Sequence, residues 1–270
     1  MHNCPLGTNG REGGELDLSA GEIAALCAAS LLAGAVDAIG GGGGLITVPA
    51  LLAAGLPPHM ALATNKGQSV FGSFSALIRY AHAGLVDRAA ARVAFPLALG
   101  ASALGAMFAM SLRASILGPT ILALLVAAAL AVTFARPREA SPESIGSSRR
   151  IVVVMAVGAV LIGVYDGFFG PGAGTLWIAL YVGLAGLPLA RATADAKVVN
   201  FASNFAAMAV FAHGGLVLWK AALPMAVSQL FGGFLGAHLA VRRGDRFIRA
   251  VVLVVAGALV LKVAHDLYFR

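Results

Sequence analysis

The 270-residue sequence is 59% hydrophobic and 11% charged, with a mean hydropathy of +0.88; soluble domains average about 25% charged residues, so a soluble fold is excluded and the chain reads as an integral membrane protein. Its formal charge of +7 does not mark a nucleic-acid binder, because most arginines stand in the gaps between apolar runs, a signature of topology and not of a phosphate-binding face. Cys4 and Cys27 supply neither a disulfide framework nor a metal-ligand spacing, and nothing implies a cofactor.

Residues 1–17 form a polar tail with Glu12, Glu15 and Asp17, lacking the basic and apolar regions of a cleaved signal. The first apolar run, Leu18 to Ile39, reads as a helix that ends in Gly40 to Gly44. Each glycine costs a helix about 1 kcal/mol relative to Ala, so the chain opens there. Leu45 to Leu56, closed by Pro57-Pro58, is too short to cross a hydrocarbon core of roughly 30 Å. It reads as a half-helix or re-entrant segment, tolerated at membrane depth only where protein or a cavity satisfies its free backbone groups.

Met60 to Ala83 follows as a longer helix carrying Asn65, Lys66, Gln68, Ser69 and Ser73, polar groups that lipid would forbid. Ala89 to Leu112 and Ala114 to Ala135 read as ordinary spans, with Gly100 and Gly105 available for close helix packing. A hydrophilic linker, residues 136–150, separates this first unit, 18–135, from a second, 151–270. The second repeats the order: Ile151 to Phe169, a break at Gly170-Pro171-Gly172, and a short piece ending near Pro188. A polar-containing helix to His213, then Ala221 to Val241 and Phe247 to Tyr268, complete it.

The recurrence has a register. Gly55-Leu56-Pro57 returns as Gly186-Leu187-Pro188, Lys66 as Lys197, and His82-x-Gly84 as His213-x-Gly215, all at one offset of 131 residues; Asp37 and Asp166 match at 129. Such pairing argues for internal duplication. With an even number of crossings per copy, the arginines of the linker (Arg136, Arg138, Arg149, Arg150) and of the late cluster (Arg242, Arg243, Arg246, Arg249) would fall on opposite faces, against the positive-inside tendency. Inverted copies place both clusters, with Arg79, Arg88 and Arg92, on the cytoplasmic side, and this arrangement is favoured.

Lys66, Ser69 and Ser73 stand at i, i+3 and i+7, one helical face, and Lys197, Asn200 and Asn204 repeat the stripe. Two related stripes of a cation followed by neutral hydrogen-bonding groups suit an oxyanion. The glycines Gly41, Gly42, Gly43, Gly44, Gly170, Gly172 and Gly174 let backbone approach a ligand and aim helix N-termini into the breaks. Broken segments at matching places in two halves point to a transporter binding site, here with Asn65 as a further ligand. Asp37 and Asp166 form a candidate proton-coupling pair, or pair with the lysines, or cap the opened segments. His82, His213, Trp177 and Trp219 suit the membrane interface.

The runs DAIGGGGGLITVPALLAAGLPPHMALATNKGQSVFGS, YDGFFGPGAGT and ATADAKVVNFASN resemble the sulfite exporter TauE/SafE family, also called the 4-toluene sulfonate uptake permeases, over about Leu18 to Leu267. The resemblance implies an all-α polytopic protein of the bacterial inner membrane, with about eight transmembrane helices plus short broken segments. It implies a secondary transporter of sulfite, sulfonates or other small sulfur-containing anions, and it singles out Asp37, Gly41 to Gly44, Pro49, Asn65, Lys66, Asp166, Gly170, Gly172, Gly174, Lys197 and Asn200. Asp195-Ala196-Lys197 stands where the first copy has Thr64-Asn65-Lys66, so the half-sites differ. The partners expected are the substrate anion, the lipid bilayer and a possible second copy of the chain. A passive anion channel is the nearest alternative. An intramembrane aspartyl enzyme built on Asp37 and Asp166 is a weaker one, since Tyr165-Asp166 is present but the partner Gly-x-Gly-Asp sequence is not.

Overall fold

The computed structural model describes residues 18–134 and 148–268; the polar tail and most of the linker, including Cys4, Arg136 and Arg138, lie outside the described residues. The described residues form α-helices and no β-strands. They run α1 (Ala20–Gly40), α2 (Gly44–Ala53), α3 (Pro58–His82), α4 (Arg88–Ser111), α5 (Ala114–Phe134), α6 (Ser148–Phe168), α7 (Ala173–Ala185), α8 (Leu189–His213) and α9 (Trp219–Tyr268). The α9 helix is two arms, because Gly244 has non-helical dihedrals (φ 68°, ψ −164°).

Local chemistry sets the boundaries. Ser19 and Glu22 close a capping box over the start of α1, and α1 stops where Gly41 turns to φ +77°. The ten residues of α2 are about 15 Å long at 1.5 Å per residue, half a membrane core. Pro57 and Pro188 hold the entries of α3 and α8, where a missing N–H costs nothing because the first turn has no acceptor for it.

Among the described residues, four stretches are long and apolar enough to cross a membrane: Ala20–Gly40, Arg88–Ser111, Arg149–Phe168 and Trp219–Val251. At 25 residues each, α3 and α8 are equally long. Their polar side chains are turned inward: Thr64, Asn65, Lys66, Gln68 and Ser73 on α3, and Asp195, Lys197, Asn200 and Asn204 on α8, are all buried. Large apolar side chains such as Leu104, Leu161 and Phe231 are instead exposed around the outside, as a lipid-facing surface requires. The chain is a multi-pass, all-helical membrane protein.

Helix packing is crossed between the two units. The main partner of α1 is the first arm of α9, and α6 is the main partner of α4. Small residues make both contacts close: a Cβ on Gly34 would meet the Gln229 carbonyl, and one on Gly236 the Ala35 carbonyl. At the other contact Gly105 lies against Val164 and Phe168, and Gly167 against Ser102. The contacts advance together along each pair, so the paired helices are parallel. Gly100 has nothing within 4 Å of its Cβ position and takes no part, contrary to the sequence expectation. Trp177 also departs from it: the ring is fully buried in the main core beside Tyr181, while Trp219 is exposed at the start of α9.

Two hydrogen bonds fix the direction of the central helices. Leu218, next to the end of α8, donates its N–H to Thr64 Oγ1 near the start of α3 (3.1 Å). Asp87, just past the end of α3, donates its N–H to Asp195 Oδ1 near the start of α8 (2.7 Å). The two helices α3 and α8 are therefore antiparallel.

Candidate functional site

The centre lies where α3, α8 and the two glycine breaks converge. Lys66 on α3 is 2% exposed and Lys197 on α8 is fully buried. Lys66 Nζ donates to Asp166 Oδ1 at 2.7 Å and to Asn204 Oδ1 at 2.9 Å. Lys197 Nζ donates to Asp37 Oδ2 at 2.9 Å and to the Asp37 backbone carbonyl. Each lysine thus takes the carboxylate of the opposite unit. Burying an ion costs several kcal/mol unless it is paired and hydrogen-bonded, and the two ammonium and two carboxylate charges cancel.

Asparagines join the pairs into one chain. Asn200 Nδ2 donates to Asp37 Oδ2 (3.3 Å), Asn204 Nδ2 donates to Asn200 Oδ1 (2.7 Å), and Asn204 Oδ1 receives Lys66. Asn65 Oδ1 accepts from Thr47 of α2, from Gln68 (3.1 Å) and from Ser69 (3.4 Å), tying the half-helix to α3.

The breaks themselves touch. Gly41 and Gly42, with φ of +77° and +88°, and Gly170 and Gly172, with +97° and +85°, occupy backbone space that favours glycine. A Cβ on Gly41 would collide with the backbone of Gly174 and Thr175, and one on Gly44 would come within 3.1 Å of Pro171. Thr175 Oγ1 donates to the Gly40 carbonyl (3.0 Å), and Tyr165 Oη to that of Pro171 (2.7 Å). Gly43 donates its N–H to Asp37 Oδ1 (3.4 Å), so Asp37 also caps its own break.

A small void remains, with room for about one water molecule. Of the residues expected from sequence, Asn65, Lys66, Ser69, Asn200, Asn204, Gly42, Gly44, Gly170, Gly172, Gly174, Asp37 and Asp166 line it. Lys197 stands behind Asp37 and does not line the void; Gly41 and Gly43 serve close packing instead. Ser73 is also outside, its hydroxyl donating to the Ser69 and Val70 carbonyls of its own helix. Gln229 of α9 lines the void and was not foreseen. Its signal was a lone amide in an apolar run, but the register places Ala98 at the matching position, so the duplication gave no hint of it.

The two aspartates hold lysines and not each other, which is not the shared-proton carboxylate pair of an aspartyl enzyme. Among the described residues no cluster of His, Cys, Asp or Glu suits a metal ion.

A multi-pass helical protein with a buried, charge-balanced polar centre between two broken segments has the construction of a membrane transporter. The sequence profile of the sulfite exporter TauE/SafE family matches residues 26–263, and the chain belongs to that family of membrane transporters. It is 38% identical to the probable membrane transporter protein ORF9 of Sinorhizobium sp over 253 residues, covering 93% of this chain and 95% of that protein. Identity to a probable membrane transporter protein of Haemophilus influenzae is 36% over 252 residues, 93% and 98% of the two chains. With the probable membrane transporter protein YfcA of Escherichia coli K12 it is 35% over 237 residues, 88% and 87%. No solved structure matches.

Proposed function

We propose that the protein is a secondary transporter of small sulfur-containing anions in the bacterial inner membrane, working by alternating access at the void between the two units. The observation that carries this reading is the pair of buried lysines on antiparallel helices, where the two glycine breaks meet. Lys66 supplies positive charge at the void and Lys197 holds Asp37 beside it, while Asn65, Ser69, Asn200 and Asn204 orient the anion's oxygens. Inverted duplication is supported by the antiparallel course of α3 and α8 and by the crossed, parallel pairing of α1 with α9 and α4 with α6. A void the size of one water is too small for a sulfite or sulfonate group, so the units must move apart to admit one.

The test is uptake of labelled sulfite into proteoliposomes, competed by sulfonates, thiosulfate and small carboxylates, for the parent and for Lys66→Gln and Lys197→Gln. Saturable uptake with counterflow is expected in the parent. Lys66→Gln should lose about 10- to 100-fold, the equivalent of ~1.5–3 kcal/mol for a hydrogen bond to a charged group, and Lys197→Gln should also weaken uptake by leaving the Asp37 carboxylate unpaired beside the void. A linear, conductive flux would identify a channel. Unchanged affinity in both variants would remove the lysines from the site.

A further inference from the structure

The two ion pairs at the centre are not equivalent. Both carboxylate oxygens of Asp37 are engaged, Oδ1 by the Gly43 N–H and Oδ2 by Lys197 and Asn200. Asp166 is 2% exposed and uses only Oδ1, toward Lys66; its Oδ2 is buried with no hydrogen-bond partner. A buried carboxylate oxygen without a donor is costly, and a proton on it would turn it into a donor. The neighbouring Ser203 hydroxyl, buried and in no other hydrogen bond, can donate to the ionised carboxylate and accept from the protonated one, so it serves both states.

Charge balance gives this asymmetry a use. The centre is neutral with two lysines and two carboxylates, so an arriving anion would leave one negative charge uncompensated in a buried site. Resting on the transport reading above, we infer that Asp166 is the proton-binding site of the protein and that each monoanion enters together with a proton. An aqueous proton adds to the Asp166 carboxylate, giving a neutral carboxylic acid. Lys66 keeps its own proton, is released from the ion pair, and holds the anion in place of the carboxylate. Asp37 stays clamped between its glycine break and Lys197 and Asn200 of α8.

The groups around Asp166 allow this. The ionisable ones are Lys66 on α3, Asp37 on α1 and Tyr165 on its own helix. Asn204 on α8 meets the same lysine, and Gln229 on α9 and the break glycines Gly170 and Gly172 line the same void. From α4, Ser102 reaches only the Ser203 carbonyl (2.7 Å). Asp37 disfavours a second negative charge nearby, and Lys66, once committed to the anion, no longer stabilises the carboxylate.

The experiment is proton uptake measured with a pH indicator in weakly buffered, purified full-length protein on adding methanesulfonate, with anion binding followed by calorimetry in the same solutions. Methanesulfonate is the anion of a strong acid and carries no exchangeable proton, so the count reports the protein alone. About one proton taken up per anion bound is expected in the parent. Anion-induced difference infrared spectra should show a gain in protonated-carboxyl C=O absorption. Asp166→Asn should bind the anion without proton uptake and without that band, with an affinity that no longer falls as pH rises; Asp166→Glu should restore both. Binding without proton uptake in the parent would overturn the inference while leaving transport intact. Loss of the uptake in Asp37→Asn but not in Asp166→Asn would overturn the assignment to Asp166. Absence of binding by methanesulfonate, with sulfite and thiosulfate equally silent, would overturn the transport reading and this inference together.

Discussion

Gly41 and Gly55 separate two uses of one residue type. Both have positive φ, +77° and +87°, but a side chain on Gly41 would strike the opposite break whereas one on Gly55 would meet nothing within 4 Å. Gly55→Ala should cost only the backbone term, about 1–2 kcal/mol. Gly41→Ala should add the displacement of Gly174 and Thr175, so its thermal midpoint in detergent should fall further and its uptake should collapse; equal midpoints would mean that the breaks do not brace each other. The lysines and aspartates were visible as residues worth attention because ionisable groups in apolar runs are rare. That each pair would form between units, Lys66 with Asp166 and Lys197 with Asp37, was not visible, since partner choice depends on helix direction and not on local pattern. The same is true of Ser73, which shares a helical face with Lys66 but is close enough to the Ser69 and Val70 carbonyls to satisfy itself.

At the scale of elements, boundaries were readable wherever glycine or proline punctuates an apolar run, as at α2, α3, α7 and α8. The unreadable part was which small residues make contacts. Gly100 and Gly105 look alike in sequence, yet only Gly105 faces α6, where its Cβ would run into the Val164 carbonyl. Gly105→Val should therefore prevent α4 from seating on α6 and abolish recovery of monodisperse protein by size-exclusion chromatography. Gly100→Val, with open space around it, should leave the elution profile unchanged. A tolerated Gly105→Val would show that the α4–α6 contact can slide.

The whole molecule is strongly polarised. The end of α3, the starts of α4, α6 and α8 and the bend of α9 share one side, and with them come Arg79, Arg88, Arg92, Arg149, Arg150, Arg191, Arg242, Arg243 and Arg246. The opposite side has Arg113, Lys220 and Glu22. Basic loops stay cytoplasmic, so in a variant lacking native cysteines, a cysteine at His82 should react with impermeant maleimide only from the cytoplasmic side, and one at Gly215 only from outside; the reverse pattern would invert the assignment. The crossed pairing also makes the two units interdependent. Neither Lys66 nor Lys197 finds its carboxylate in its own unit, and the first helix of each unit packs mainly on a helix of the other. Severed in the linker and produced as separate polypeptides, the two pieces should be unable to mature alone yet complement when made together, behaving as an obligate pair; a piece that matures alone would show that the interlocking contacts are dispensable.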